Sequence, residues 1–186
     1  LQRERNRCEK YAATETPTLV QESINDSIAF LIEQLNKLQQ QIDDHIDQHP
    51  ELKKDLGLLK SIPAIGQQTA SRMLAIMHTH QFDRAEQLAA YLGLVPVERQ
   101  SGSSVHGRPR LSKTGPASVR AVLYMAAMVA IKHNRQIKES YLRLLAKGKS
   151  KMAALGAAMR KLVHLCFGVI RNQTVYQIDY LPSKRT

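Results

Sequence analysis

The sequence has 186 residues, of which 43% are hydrophobic and 23% are charged, with nine glycines and seven prolines. This composition excludes a disordered or collagen-like chain and favours a globular protein of one domain plus an appendage, built mainly from helices. The formal net charge of +11 favours a negatively charged partner.

The positive charge is concentrated in one part of the chain. Residues 1–50 carry 5 basic and 9 acidic side chains, residues 51–100 carry 6 and 5, and residues 101–186 carry 16 and 2. A basic excess of this kind is typical of a nucleic-acid partner, with an anionic membrane surface as the alternative. No apolar run approaches the ~20 residues that span a bilayer, so we expect no membrane partner.

The chain begins at Leu1, not at Met, within a sequence of helical character. We therefore expect a fragment of a longer protein. Two cysteines, Cys8 and Cys166, lie far apart on predicted helices. They favour reduced thiols and a cytoplasmic location.

Residues 1–50 are predicted to form a helical, coiled-coil-like arm. The spacing is that of a heptad seam, with apolar residues at Ile24, Ile28, Leu31, Leu35, Leu38 and Ile42. Thr16 and Pro17 suit a helix start, and Pro50 limits the other end. The seam favours a homo-oligomer, or a helix that braces its own domain.

The next segment resembles a helix-hairpin-helix. Two predicted helices, over 52–61 and 67–77, flank the turn Ile62-Pro63-Ala64-Ile65-Gly66. In such a motif backbone amides at the turn and at the following helix N-terminus face one phosphate. A purely structural hairpin is the alternative. His78 and His80 favour a surface role at the helix end over a metal site.

Further helices are predicted over 84–92, 117–133, 135–146 and 151–171, so residues 51–175 form an all-α domain and residues 176–186 a tail. The helix over 117–133 is the most apolar and is expected to be the central core helix. The core is expected to include Met125, Met128, Met152 and Met159.

Between these helices, Arg99 to Lys113 combines serines, glycines and cations with no carboxylate. Serine hydroxyls, backbone amides next to glycine and the basic side chains suit an anionic phosphate. No strand pattern of useful length appears, so we expect a loop. The alternative is a flexible basic surface loop.

Six motifs follow one another in order: Ser61-Ile-Pro-Ala-Ile-Gly66, Leu88-Ala-Ala-Tyr-Leu-Gly-Leu-Val-Pro96, Glu98-Arg-Gln-Ser-Gly-Ser-Ser104, Leu111-Ser-Lys-Thr-Gly115, Arg120-Ala-Val-Leu-Tyr-Met-Ala-Ala127 and Met159-Arg-Lys-Leu162. Together they resemble the C-terminal domain of the DEDD-type insertion-sequence transposases of the IS110 and IS1111 groups, which are related to the Piv and MooV DNA invertases. The resemblance covers about residues 20 to 175. The turn departs from the family pattern, because Ala64 stands where glycine is usual. Thr114 and Gly115 stand where the family tends to have Gly-Asn.

The resemblance implies a bridge-RNA-guided recombinase that acts on DNA. A RuvC-like N-terminal domain, absent from this chain, binds Mg²⁺ through four carboxylates, so the isolated fragment is expected to be inactive. A serine of the C-terminal domain attacks the DNA phosphodiester and forms a covalent intermediate. Its position in the motif corresponds to Ser101, with Ser103, Ser104 and Ser112 as alternatives.

The same resemblance and the basic composition predict a set of nucleic-acid contacts: Gly66, Arg99, Gly102, Ser103, Ser104, Arg108, Arg110, Lys113, Arg120, Arg160 and Lys161. No metal ligand is expected among them. The main hypothesis is therefore a transposase domain with Ser101 as nucleophile. The alternatives are a non-catalytic helix-hairpin-helix module that binds nucleic acid, and an oligomerisation scaffold organised by the arm.

Overall fold

The predicted helices are present in the structure, a computed structural model that describes residues 3, 6, 9–10, 18–97, 100–101, 105–106 and 110–178. Within these residues the chain forms seven helices: α1 (Thr18–Gln48), α2 (Pro50–Lys60), α3 (Gln67–Thr79), α4 (Ala85–Tyr91), α5 (Ala117–His133), α6 (Arg135–Ala146) and α7 (Lys151–Asn172). The all-α prediction is confirmed. From α2 onward each helix begins and ends within two residues of its predicted bounds. Cys8 and Tyr180 lie outside the described residues.

The chain divides into two compact units, Leu1–Pro50 and Glu51–Thr186. In the first unit, α1 is a helix of 31 residues that carries the apolar seam from Ile24 to Ile42. Three side chains in the second half of this seam are about half exposed, Leu35 at 53%, Leu38 at 55% and Ile42 at 48%. The seam is therefore a continuous apolar stripe that remains accessible to solvent.

In the second unit α7 is the central helix, which packs against α4, α5 and α6. Nine of its residues are buried, and Leu162, Val163 and Cys166 have no exposed surface. The prediction that 117–133 is the central core helix is wrong, since α5 buries five residues. Because α5 is apolar on nearly all sides, its sequence pattern did not show which side faces the core.

The burial of the methionines also differs from the prediction. Met159 is buried at 5% exposure, but Met125 is 63% exposed, Met128 38% and Met152 65%. The expectation that all four lie in the core is therefore wrong for three of them. On α5, Met125 and Met128 lie three residues apart and contribute to one exposed apolar face.

By length and composition, α7 is also the one helix of the described residues that is apolar enough to cross a membrane. Half of its most apolar window is buried inside the fold, where α4, α5 and α6 cover it. The expectation that no apolar stretch reaches that length overlooked this helix. The reason is that Arg160 and Lys161 interrupt the run in the sequence, although both lie on the same helix as the buried residues.

Short strands replace part of the predicted loop. β1 (Pro96–Val97) pairs with β4 (Arg110–Leu111), and β2 (Gln100–Ser101) pairs with β3 (Val105–His106), both antiparallel. Pro96 lies opposite Leu111, and Ser101 lies opposite Val105. We refer to these four strands as the ribbon. Each strand has only two residues, too few for the alternation by which a strand is recognised in sequence.

The segment after α7 is fixed to the other end of the domain by polar contacts. Gln173 Nε2 donates to Asp55 Oδ1 at 2.8 Å, and the Tyr176 amide donates to Ser61 Oγ at 2.8 Å. Asp55, which is buried, also contacts His78 Nε2 through Oδ2 at 2.9 Å. These bonds hold the end of the described chain against α2 and the end of α3.

Candidate nucleic-acid interface

The ribbon is anchored to the helical domain at its base. Leu94, just before β1, is 1% exposed and fixes the incoming chain in the core. The Ser112 amide donates to Val95 O at 2.9 Å, and the Lys113 amide donates to Gly93 O at 3.1 Å. The incoming and outgoing chains are thus bonded to each other where the ribbon leaves the domain.

Two glycines allow this close approach. Gly93 has φ +68°, and a Cβ there would collide with the backbone of Thr114. Gly115 has φ +86°, and a Cβ there would collide with the carbonyl oxygen of Tyr91. An L side chain is therefore excluded at either position both by conformation and by space. The direct backbone contact fixes the orientation of the ribbon base relative to α4 and α5.

Ser101 lies on β2, opposite Val105 on β3. What the structure adds to the sequence is that the backbone of Ser101 belongs to an antiparallel pair of strands. The other predicted contacts at the tip, Arg99, Gly102, Ser103, Ser104 and Arg108, lie outside the described residues.

The predicted cations at the ribbon base differ in their surroundings. Arg110 and Lys113 are exposed, and neither side chain has an ion pair within the described residues. Arg120 is instead engaged: its Nη1 donates to Thr114 O at 3.0 Å and Gly115 O at 2.8 Å. Arg120 therefore braces the turn before α5, while Arg110 and Lys113 leave their charges available.

The turn that was predicted to bind a phosphate lies between α2 and α3, with Ile62 and Ile65 buried. Ala64 adopts a positive φ of 84°, the conformation for which glycine is favoured. Gly66, the residue before α3, has an ordinary φ of −89°, is exposed, and a Cβ there would meet nothing within 4 Å. The fold itself therefore does not require a glycine at position 66.

The last two predicted contacts, Arg160 and Lys161, lie on α7, and α7 also contacts the ribbon. A Cβ at Gly156 would lie 3.2 Å from Leu111 Cδ1, so β4 packs directly on α7. Arg160 follows Gly156 by four residues, which places it one turn further along nearly the same face. Lys161 Nζ donates to Gln136 O at 3.0 Å, so this ammonium faces α6.

Comparison with known proteins identifies the kind of domain that carries this arrangement. Residues 56–142 match the family described as Transposase IS116/IS110/IS902 family. The chain contains an IS110-family transposase domain. It is 34% identical over 149 residues to a pilin gene-inverting protein of Moraxella bovis, a match that covers 79% of this chain and 46% of that protein.

Two further relatives come from insertion elements. A protein of insertion element IS110 from Streptomyces coelicolor is 28% identical over 165 residues, which cover 88% of this chain and 40% of the relative. The transposase for insertion sequence element IS1111A of Coxiella burnetii is 30% identical over 128 residues, 67% of this chain and 35% of the relative. The chain thus spans less than half the length of these curated relatives.

No metal ligand was predicted in this chain. Within the described residues no group of three or more His, Cys, Asp or Glu side chains is arranged to hold a metal ion. His78 is bonded to Asp55, and the ring of His80 is bonded to the Tyr91 hydroxyl at 2.9 Å. The resemblance assigns its Mg²⁺ to the RuvC-like domain and not to these residues.

Sequence reasoning missed two residues that share a polar cluster with Lys161. Ser140 Oγ accepts from Lys161 Nζ at 3.4 Å and from Arg143 Nη2 at 3.3 Å. Burial, followed by the charge of Arg143, lowers the pKa of Lys161, while Glu139 acts in the opposite direction. No local signal indicated this cluster, because Arg143 and Lys161 lie on different helices.

Proposed function

We propose that this chain is the serine-bearing domain of a DNA recombinase and that Ser101 is its nucleophile. The observation that carries the proposal concerns Ser101, which stands in the motif that the family resemblance assigns to the attacking serine. Its backbone belongs to an antiparallel pair, in a segment whose two ends are bonded to each other at the ribbon base. The names of two relatives, a gene-inverting protein and a transposase, support DNA as the substrate.

The reaction replaces one phosphodiester bond with another. The Ser101 oxygen forms a bond to phosphorus as the bond to a deoxyribose oxygen breaks, which links the protein to one DNA end. The serine proton passes to a base, and the leaving oxygen takes up a proton. A serine hydroxyl needs such activation and stabilisation of the charged transition state. Mg²⁺ from a RuvC-like domain and a guide RNA remain part of the proposal.

In this mechanism the cations at the ribbon base bind flanking phosphates. Arg110 and Lys113 are suited to this role because their side chains are exposed and have no carboxylate partner within the described residues. Arg120 acts by bracing the turn, through its bonds to Thr114 and Gly115.

The test is Ser101→Ala in the intact recombinase, with trapping of the covalent protein–DNA adduct on a denaturing gel. We expect the adduct to disappear and DNA binding to remain. Ser112→Ala is the matched control, because Ser112 Oγ is bonded to Thr114 Oγ1 at 3.0 Å at the ribbon base, and it should retain the adduct. An adduct that persists in Ser101→Ala and disappears in Ser103→Ala would move the nucleophile to Ser103.

A non-catalytic helix-hairpin-helix module is the second candidate, favoured by Gly66. This exposed glycine is required neither by its φ nor by a neighbouring atom of the protein, as expected where an external backbone approaches. Under this alternative Gly66→Ala weakens DNA binding, whereas Ser101→Ala has no effect on any activity. Loss of the adduct in Ser101→Ala would exclude the purely non-catalytic candidate.

A further inference from the structure

A cavity of about 610 Å³ lies between α6 and α7 and is also lined by the segment Thr174–Gln177. Its volume falls within the range of ordinary small-ligand sites, which is about 300–1,000 Å³. Its lining includes three cations and several apolar side chains. Neither the ribbon nor the helix-hairpin-helix includes this cavity.

The cationic part consists of Arg143, Arg160 and Lys161. Arg143 and Lys161 share a single neutral acceptor, Ser140 Oγ, at 3.3 and 3.4 Å. None of the three cations has an ion pair among the described residues. Grouped positive charges without a carboxylate partner attract an anion with several oxygens, such as a phosphate.

The apolar part includes Leu144, Leu165 and Val169, with Tyr176 beside them. Tyr176 is held at both ends, because its hydroxyl donates to Asn134 Oδ1 at 3.1 Å and its amide donates to Ser61 Oγ at 2.8 Å. A fixed aromatic ring beside aliphatic side chains is a suitable surface for a flat heterocycle.

We propose that this cavity binds one unpaired nucleotide of a nucleic-acid strand, with its phosphate on the cations and its base against the apolar wall. The inference rests on the proposed function, because it takes nucleic acid as the partner. An acidic helix, such as α1 of a second copy with six acidic residues and one lysine, matches the charge. A helix is about 10–12 Å wide, however, and a volume of about 610 Å³ holds only about one turn of it.

The position of the cavity allows one nucleic-acid strand to contact both the cavity and the ribbon. Leu111 of β4 packs at Gly156, and Ala157, Arg160 and Lys161 line the cavity. Four residues of helix span about 6 Å, so the edge of the cavity lies about one helical turn beyond the contact between β4 and α7.

The experiment compares three DNA probes by fluorescence anisotropy at one salt concentration: a duplex, the same duplex with one unpaired thymidine, and that duplex with an abasic unpaired position. The 186-residue chain should bind the thymidine bulge about tenfold more tightly than the other two. Gly168→Leu should reduce this preference to about one, because Gly168 lines the cavity and has open space at its Cβ. Arg143→Ala should weaken binding of the bulged probe more than binding of the duplex.

Gly57→Leu is the matched control. Gly57 lies on α2, also has open space at its Cβ and does not line the cavity, so the preference should persist. Equal affinity of the unmodified chain for all three probes would overturn the cavity proposal and leave DNA binding intact. Absence of binding to any probe would overturn both proposals. If Gly168→Leu leaves the preference for the thymidine bulge unchanged, the cavity proposal is also overturned. If the same variant also has a lower mass by sedimentation, the cavity binds a second copy of the chain instead.

Discussion

At the scale of single residues, the turn between α2 and α3 contains an unfavourable conformation. Ala64 has φ +84°, and an L residue in the left-handed region costs about 1–2 kcal/mol. Glycine avoids that cost. It also raises the conformational entropy of the unfolded chain, but the resulting loss of stability is somewhat smaller than the cost that it removes. This is the position at which the family pattern has glycine.

We therefore expect Ala64→Gly to stabilise the domain by about 1 kcal/mol, measured as a higher free energy of unfolding in urea. Ala121→Gly is the control, because Ala121 is exposed in the middle of α5 and should lose about 1 kcal/mol. Equal destabilisation by both changes would show that the φ of Ala64 carries no cost.

His164 provides a pH-dependent contribution to stability. Its Nε2 is buried without a hydrogen-bond partner among the described residues, and Nδ1 lies 4.0 Å from Glu86 Oε1. Burial lowers the pKa of His164, the charge of Glu86 raises it, and the charge of Arg160 lowers it. The unfolded chain therefore binds this proton at a higher pH than the folded chain does.

The contribution of His164 to stability should consequently be present above the unfolded pKa of about 6.5 and be lost as pH falls below it. Urea unfolding between pH 7.5 and 5.5 should show a smaller loss of stability for His164→Gln than for the unmodified chain. His133→Gln is the control, since His133 is exposed at the end of α5. Identical pH profiles for the His164 variant and the unmodified chain would contradict the assignment.

At the scale of elements, the sequence predicted where each helix begins and ends, but not which of its faces is exposed. Helix ends follow from local signals: Ser150 Oγ accepts from the Ala153 amide at 3.3 Å, and Gly148 has φ +75° where α6 has ended. The burial of α5 and α7 depends on which other helices cover them, and this is not a local property. The exposed position of Met125 therefore could not be read from the apolar pattern alone.

The residues of the candidate site also differ in whether the sequence alone could predict their roles. The motif that contains Ser101 and the basic positions Arg110 and Lys113 were accessible from the sequence. The bracing by Arg120 and the cluster of Lys161 with Arg143 were not, because they depend on the path of the turn before α5 and on the packing of α6 against α7. Strands of two residues likewise left no periodic signal.

The seam of α1 leads to a prediction about assembly. Leu35, Leu38 and Ile42 remain about half exposed on a 31-residue helix, and an isolated helix of this kind gains stability by burying such a stripe. If two copies pair through the seam, Leu35→Lys combined with Leu38→Lys should reduce the mass measured by sedimentation equilibrium to that of one chain. Phe30→Lys, at an exposed apolar position off the seam, should leave the mass unchanged. A seam variant that keeps the mass of the unmodified chain would remove the seam as the contact.

At the scale of the whole molecule, charge separates the two units. Residues 1–50 have a net charge of −4, whereas residues 51–186 have a net charge of +15, nearly all of it from residues 101–186. A DNA duplex carries a condensed layer of counterions, which are released when cations of the protein replace them. DNA should therefore bind to the second unit, and the acidic arm should stay clear of the phosphates and be free for contacts between copies.

The dependence of binding on salt tests this division directly. The logarithm of the association constant for a DNA duplex should fall linearly with the logarithm of salt concentration, with a slope of about −0.9 for each phosphate contact. Because Arg110 and Lys113 are exposed and unpaired within the described residues, Arg110→Ala and Lys113→Ala should each reduce the magnitude of the slope by about one. Lys54→Ala removes an exposed charge from α2 and should leave the slope unchanged. A slope that responds equally to all three substitutions would mean that DNA senses only the total charge, and that the ribbon base is not a contact.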